Sequence, residues 1–395
     1  MLSPPDRKST SLAPATREGL IYALSQAVTN LADTLRKVSS QSSTETVPQS
    51  FRDTFACHLY FLYSLMFLLQ SNEGDAKVQE SPLRQASASA MWTAATAMAD
   101  CRPTLWPRGV PDESIVLLPC RIAYPLLERA TGVLARKGAC ADEAIGILAA
   151  TCVDSSESIL STITAALMDL MHSHEHLAPL VADLCDAVDQ RQKKQEQQGG
   201  GGVNRLAVDL MREMGRLDGS ETNKASGVKN VAPFLPLMAV RQPQLFLQHL
   251  PHILPHLQSE SYALRSAVVQ ALAHLLEYLG TKEAAATLPA TGEPAPSQDE
   301  TVASAESSHH PQYPPPTTLS NHKTRTSLLN ILTERVCDVS SFTRAAVLKA
   351  WISLVVSGAL PKDRLLPVTK MAIDRLQDKT VVVRKQAMHV RTRIE

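Results

Sequence analysis

The sequence predicts an all-α protein, an α-solenoid of stacked helix pairs, and three observations carry that prediction. Apolar residues recur at helical spacing along most of the chain, one pattern returns three times at a fixed interval, and the composition favours helix. Of the 395 residues 44% are hydrophobic but only 4% are aromatic, so the apolar content is mainly aliphatic and suits helices better than sheets. The length is that of two or three domains.

Residues 1–17 are polar and Pro-containing and are expected to be disordered. From 18 to 190 short polar breaks separate stretches such as Thr54–Leu69, Ile115–Val133, Glu143–Thr151 and Ser158–Met171, which predict a helical N-terminal domain. The tract RQKKQEQQGGGG at the start of 191–203 cannot pack a core and predicts a linker. Helical repeats follow over 204–280. Residues 281–324 are rich in Pro, Ser, Thr and Ala with few large aliphatics, which predicts a disordered insertion. Repeats resume over 325–395, and the last residue falls inside a helical pattern with no Gly C-cap, as expected of a piece of a longer solenoid.

The repeat is seen by aligning QSESYALRSAVVQALAHLL from Gln258, CDVSSFTRAAVLKAWISLV from Cys337 and QDKTVVVRKQAMHVRTRI from Gln377. Asp338 stands six residues before Arg344, Asp378 six before Arg384, and Ser259 six before Arg265. Arg344 and Arg384 are 40 residues apart, the period of HEAT-type helix pairs. The interval from Arg265 to Arg344 is 79 residues, one period swollen by the insertion. An Asp between two helices can accept orphan N–H groups of the second helix. An Arg one turn into that helix can bridge to the Asp of its own or of the neighbouring repeat. Asp338, Arg344, Asp378 and Arg384 are therefore expected to form a structural ladder, with Asp378 and Arg384 coupled. Leu264, Val268, Ala271, Leu272 and Leu275 form one apolar stripe on the second helix of the first repeat, and Leu365, Ala372, Ile373 and Leu376 another on the first helix of the third.

These residues resemble a particular family. NRLAVDLMREMGRLDGSETNKASGVKNVAPFL, LPHILPHLQSESYALRSAVVQAL, LLNILTERVCDVSSFTRAAVLKAWISLVVSGALP and AIDRLQDKTVVVRKQAMHV are similar to blocks of the condensin complex subunit 1 family, the HEAT-repeat, non-SMC regulatory subunits of condensin. The resemblance is densest over Asn204–Val390 and weaker over 51–190, where CHLYFLYSLMFLL, PTLW and HSHEHLAPLVADL stand. It implies an N-terminal fragment, since family members are usually much longer, and the 281–324 insertion departs from the family pattern. It also implies a non-catalytic scaffold that binds the condensin kleisin, through it the SMC ATPase heterodimer, and DNA or chromatin. The expected location is the nucleus and chromosomes, with the cytoplasm in part of the cell cycle. The competing reading is a HEAT-repeat adaptor for nuclear transport or phosphatase assembly without DNA contact.

Chemistry-bearing motifs are few. No phosphate-cradling GxxxxGK[ST], GxSxG elbow, HExxH or HRD pattern occurs, so no catalytic residue and no cofactor is predicted. The seven cysteines lack metal or disulfide spacing and read as reduced thiols. The longest oily run, Leu59–Leu69, is about half a membrane span, and no membrane partner is predicted. His172, His174 and His176 around Glu175, and His249, His252 and His256, are read as surface histidines, not zinc ligands. Lys plus Arg equals Asp plus Glu at 39 each, so any electrostatic partner needs a local patch. Residues 361–395 supply one, with nine Lys/Arg against four Asp/Glu. Its plainer reading is a solvated helix face. The sharper reading makes Lys379, Lys385 and Arg393 DNA contacts, sequence-independent because no aromatics interleave them.

Overall fold

The computed structural model describes residues 14–41, 46–70, 80–106, 110–131, 139–196, 204–217, 225–287 and 316–394, and every regular element among them is helical. The chain divides into two compact units, Met1–Phe234 and Leu235–Glu395.

In the first unit the helices are α1 (Pro14–Gln41), α2 (Gln49–Gln70), α3 (Glu80–Asp100), the single turn α4 (Arg102–Leu105), α5 (Glu113–Glu128), α6 (Ala141–Cys152), α7 (Glu157–Ser173), α8 (Leu177–Glu196), α9 (Arg205–Gly215) and α10 (Ala225–Val231). They form two layers: α1, α3, α6 and α8 pack in one row, and α2, α5 and α7 in the other. Helix α6 touches both rows and is buried almost all round, from Ala144 and Ile147 to Leu148 and Ala150. Its neighbour α7 instead buries one stripe, Ile159, Ile163, Leu167 and Met171, and leaves the opposite face to solvent. Side-chain caps fix the helix starts: Asp112 accepts from the Ser114 amide at 3.0 Å, Ser156 from the Ile159 amide at 3.3 Å, and Asn204 from the Ala207 amide at 3.1 Å.

The expected organisation differs from this structure at its boundaries. Residues 14–17, expected to be disordered, open α1, and residues 191–196 of the expected linker finish α8, because Gln, Lys and Glu are good helix formers. The remainder of that linker, 197–203, and residues 1–13 lie outside the described residues. The division between units falls at Phe234, not in the linker. Helix α9 thus belongs to the first unit, where the Asn204 amide also donates to the Cys185 carbonyl at 2.8 Å and pins the start of α9 to α8. Leu206, Leu210, Met211 and Met214 of α9 are then buried within the first unit.

The second unit contains α11 (Phe234–Arg241, which begins at the boundary), α12 (Pro243–Ile253), a 3-10 turn (Leu254–Gln258), α13 (Tyr262–Thr287), α14 (Pro316–Arg335), α15 (Ser341–Val356), α16 (Lys362–Arg375) and α17 (Val381–Ile394). The 3-10 turn takes over at Leu254–Pro255, where proline removes an amide donor from the helix. Helices α13, α15 and α17 stack as one continuous row. They bury Leu264, Val268, Leu272 and Leu275, then Val347, Leu348, Trp351 and Leu354, then Val383, Ala387 and Val390. The insertion expected at 281–324 is shorter at both ends. Residues 281–287, rich in Ala, Lys and Glu, continue α13, and α14 starts at Pro316 with proline in its first turn, where a missing N–H costs nothing. Residues 288–315 lie outside the described residues. The stripe expected on α16 is also corrected. Val368 and Ala372 are its buried residues, whereas Ile373 is 48% exposed.

One close approach in the first unit requires glycine. A Cβ on Gly146 of α6 would run into the indole of Trp92 on α3. Gly146→Val is expected to destabilise the first unit by about 1–3 kcal/mol. Denaturant unfolding of the single variant and of Gly146→Val with Trp92→Ala checks this, because removing the indole should recover a large part of the loss.

Candidate nucleic-acid interface

The candidate surface is built on the turns that open α13, α15 and α17. In each turn a side-chain oxygen accepts the backbone N–H two residues on. The Ser259 hydroxyl accepts from Ser261 at 3.2 Å, the Asp338 carboxylate from Ser340 at 2.8 Å, and the Asp378 carboxylate from Thr380 at 3.0 Å. Asp378 also accepts from the Thr380 hydroxyl at 2.9 Å. The aspartates thus shape the turn before the helix. The N-cap of α15 itself is Ser340, which accepts from the Phe342 amide at 3.3 Å.

Arg265 and Arg344 each occupy two turns at once, and Arg384 holds its own turn. Nη1 of Arg265 donates to the Ser259 and Glu260 carbonyls at 2.6 and 3.0 Å, that of Arg344 to Asp338 and Val339 at 2.8 and 3.0 Å, and that of Arg384 to Asp378 and Lys379 at 2.8 and 3.1 Å. The other edge of the guanidinium reaches the next repeat. Nε and Nη2 of Arg265 grip the Asp338 carboxylate at 3.0 and 3.1 Å, and those of Arg344 grip Asp378 at 2.8 and 2.9 Å. Each Asp therefore pairs with the arginine of the preceding repeat. The expected coupling of the Asp378 and Arg384 side chains is corrected, because Arg384 hydrogen-bonds the backbone of Asp378 and not its carboxylate. A fork six residues away along one chain is already filled by the turn carbonyls, which leaves its second edge facing the neighbour.

The Arg344 and Asp378 side chains are 14% and 4% exposed, so this bidentate pair is largely withdrawn from solvent. The Arg344 guanidinium holds the Asp378 carboxyl well below the ordinary carboxylate range, against the opposing effect of burial and with help from the Thr380 amide and hydroxyl.

Lys379, in the turn, and Lys385 and Arg393, on α17, are all exposed, and Lys385, His389 and Arg393 share the face opposite Val383, Ala387 and Val390. Sequence reasoning missed Lys349. It is exposed on α15 five residues after Arg344, the register position that His389 holds after Arg384. The 40-residue period would have found it, had charge been counted by register instead of by segment.

The histidines serve other ends. Nδ1 of His172 is bonded to the Met168 carbonyl at 2.8 Å and Nε2 of His176 to the Leu127 carbonyl at 3.1 Å, while His256 is buried. Among the described residues no group of three or more His, Cys, Asp or Glu is placed to hold a metal ion, and no helix is long and apolar enough to cross a membrane. Burial pushes the Cys120 thiol up to about 12 and Cys152 well above its ordinary value, which removes both as nucleophiles.

Comparison with known proteins gives the following likenesses. Residues 249–279, spanning the end of α12 and most of α13, match the HEAT repeat family. The chain is 28% identical over 290 residues to condensin complex subunit 1 of Homo sapiens, covering 72% of this chain and 17% of that protein. It is 27% identical over 227 residues to condensin-1 complex subunit CAP-D2 of Arabidopsis thaliana, covering 57% and 14%. The chain thus spans less than a fifth of the length of these relatives. A solved structure of the Pds5–Scc1 complex aligns with 88% of this chain and 55% of its own at 11% identity, with a TM-score of 0.29, too low to equate the two arrangements.

Two outcomes are expected of the ladder. A double-mutant cycle on Arg344 and Asp378 should give a coupling of about 1–3 kcal/mol, while the side chains of Arg384 and Asp378 should show little. Because the folded carboxyl of Asp378 is depressed, its stabilisation is fully present above the unfolded value of about 3.9 and is lost as pH falls toward the folded one. The stability gap between wild type and Asp378→Asn, measured by chemical unfolding from pH 7 to pH 3, should stay constant down to about pH 5 and then narrow.

Proposed function

We propose, on the premise of its likeness to condensin complex subunit 1, that this chain is a non-catalytic HEAT-repeat scaffold of a condensin complex, acting in mitotic chromosome condensation. In this reading it binds the condensin kleisin, is joined through it to the SMC ATPase heterodimer, and touches DNA or chromatin in the nucleus and on chromosomes. The single observation that carries the proposal is the 290-residue match to the human subunit. The stacked row α13, α15 and α17 supports it, since such a row offers a long helical surface on which an extended partner can lie. Affinity purification of the tagged chain followed by mass spectrometry tests it. SMC and kleisin subunits are expected; transport receptors or phosphatase subunits would instead identify a HEAT adaptor without DNA contact.

DNA contact is proposed at Lys379, Lys385 and Arg393, with Lys349 as a fourth member. These cations lack interleaved aromatics and would hold the phosphate backbone without reading bases. Replacing Lys379, Lys385 and Arg393 by Ala should weaken binding of unrelated duplexes about equally. The slope of log affinity against log salt should flatten by about 0.9 for each phosphate the variant no longer neutralises. A salt titration of duplex binding by the whole chain measures both; unchanged affinity and slope would place DNA contact elsewhere.

A further inference from the structure

The first unit holds a cleft of about 740 Å³ between α7, α9 and α10, lined on one side by the exposed face of α7 and on the other by one face of α9. Ala165, Met168 and Val228 supply apolar lining. The charges around it are unevenly compensated. On α9 each carboxylate has its own arginine, Asp209 with Arg212 at 2.7 Å and Glu213 with Arg216 at 2.6 Å, so that wall is neutral in pairs. Glu157 and Asp169 of α7 line the same cleft and make no ion pair among the described residues. Glu157 sits in the first turn of α7, where the helix dipole favours a carboxylate. Asp169 stands near the opposite end, where the dipole disfavours one and aspartate is a poor helix former, so helix stability gives no reason for it.

A second, independent feature points to a ligand. Thr164 lines the cleft, is 4% exposed, and its hydroxyl has no hydrogen-bond partner among the described residues. Buried polar groups are ordinarily satisfied, and this unpaired hydroxyl leaves a hydrogen-bonding position unfilled in the wall of the cleft.

We propose that this cleft binds a short linear protein segment carrying two basic side chains about five residues apart, with small apolar residues between them. The spacing follows from the helix. Glu157 and Asp169 are twelve residues apart along α7, about 18 Å at 1.5 Å per residue, which an extended peptide spans in five or six residues at about 3.3 Å each. Flanking lysines or arginines reach the two carboxylates, and the intervening small side chains lie over Ala165 and Met168. This site is independent of the ladder and of the phosphate contacts proposed on the second unit.

The test uses the whole chain and a fluorescent eight-residue peptide with lysines at positions 2 and 7 and alanine and valine between them, followed by anisotropy at low salt. Saturable binding is expected, weakened at least tenfold by Asp169→Lys combined with Glu157→Gln. A peptide of the same composition with its lysines adjacent should bind at least tenfold more weakly. Ala165→Trp, at an exposed position of α7, should block the cleft without unfolding the unit, which circular dichroism and the melting temperature verify. No binding, equal binding of the two peptides, or binding indifferent to all the variants would overturn the proposal. So would a dimer of the wild-type chain that Ala165→Trp dissociates in sedimentation, since the occupant would then be a second copy.

Discussion

The arrangement of the second unit depends on one guanidinium doing two jobs. Nη1 of Arg344 closes the turn of its own repeat onto the Asp338 and Val339 carbonyls, while Nε and Nη2 hold the Asp378 carboxylate of the next. Because the fork is planar and rigid, the two tasks fix the neighbouring turns relative to each other; a lysine, a point charge on a flexible stem, would hold either turn but not their mutual orientation. Arg265 repeats the device one step earlier. Between these clamps α13, α15 and α17 stack closely enough to bury Thr343 fully beside Ser266. On the outer helices the contacts between repeats are single and not bidentate: Arg335 of α14 donates to the Leu257 carbonyl at 3.0 Å and Arg375 of α16 to the Cys337 sulfur at 3.6 Å, and α14 and α16 are separated by a cleft of about 440 Å³ lined by Val336, Leu366 and Met371.

Pairing also decides which charges are available to partners. The chain is neutral overall, yet the ladder consumes Arg265, Arg344, Asp338 and Asp378 in buried pairs. Among the described residues the charges left exposed on the inner row of the second unit are basic: Lys282, Lys349, Lys385, Arg391 and Arg393. In the first unit the uncompensated charges of the α7 cleft are acidic, Glu157 and Asp169. The two units thus present exposed surfaces of opposite charge, which the net charge of zero conceals. Neither surface needs a catalytic group, and the buried thiols of Cys120 and Cys152, held protonated, supply none.

The sequence by itself determined what local spacing encodes. Helical periodicity specified the helix-on-helix class, because an apolar stripe with period near 3.6 can be buried only against another such stripe. The six-residue interval from Asp to Arg and its return after 40 residues specified the repeat, since turn and first helical turn are contiguous in the chain. Only the tertiary structure decided what depends on neighbours distant in sequence. It paired Arg344 with Asp378 instead of Asp338, a choice that spacing leaves open because both carboxylates are within reach until the turn carbonyls occupy Nη1. It kept α9 in the first unit, with Leu206, Leu210, Met211 and Met214 buried and the Asn204 amide on α8, exposed Ile373, and left Asp169 and Thr164 in the lining of a cleft. Each of these outcomes turns on which side chain of another helix arrives beside it, and periodicity within a single helix carries no record of that.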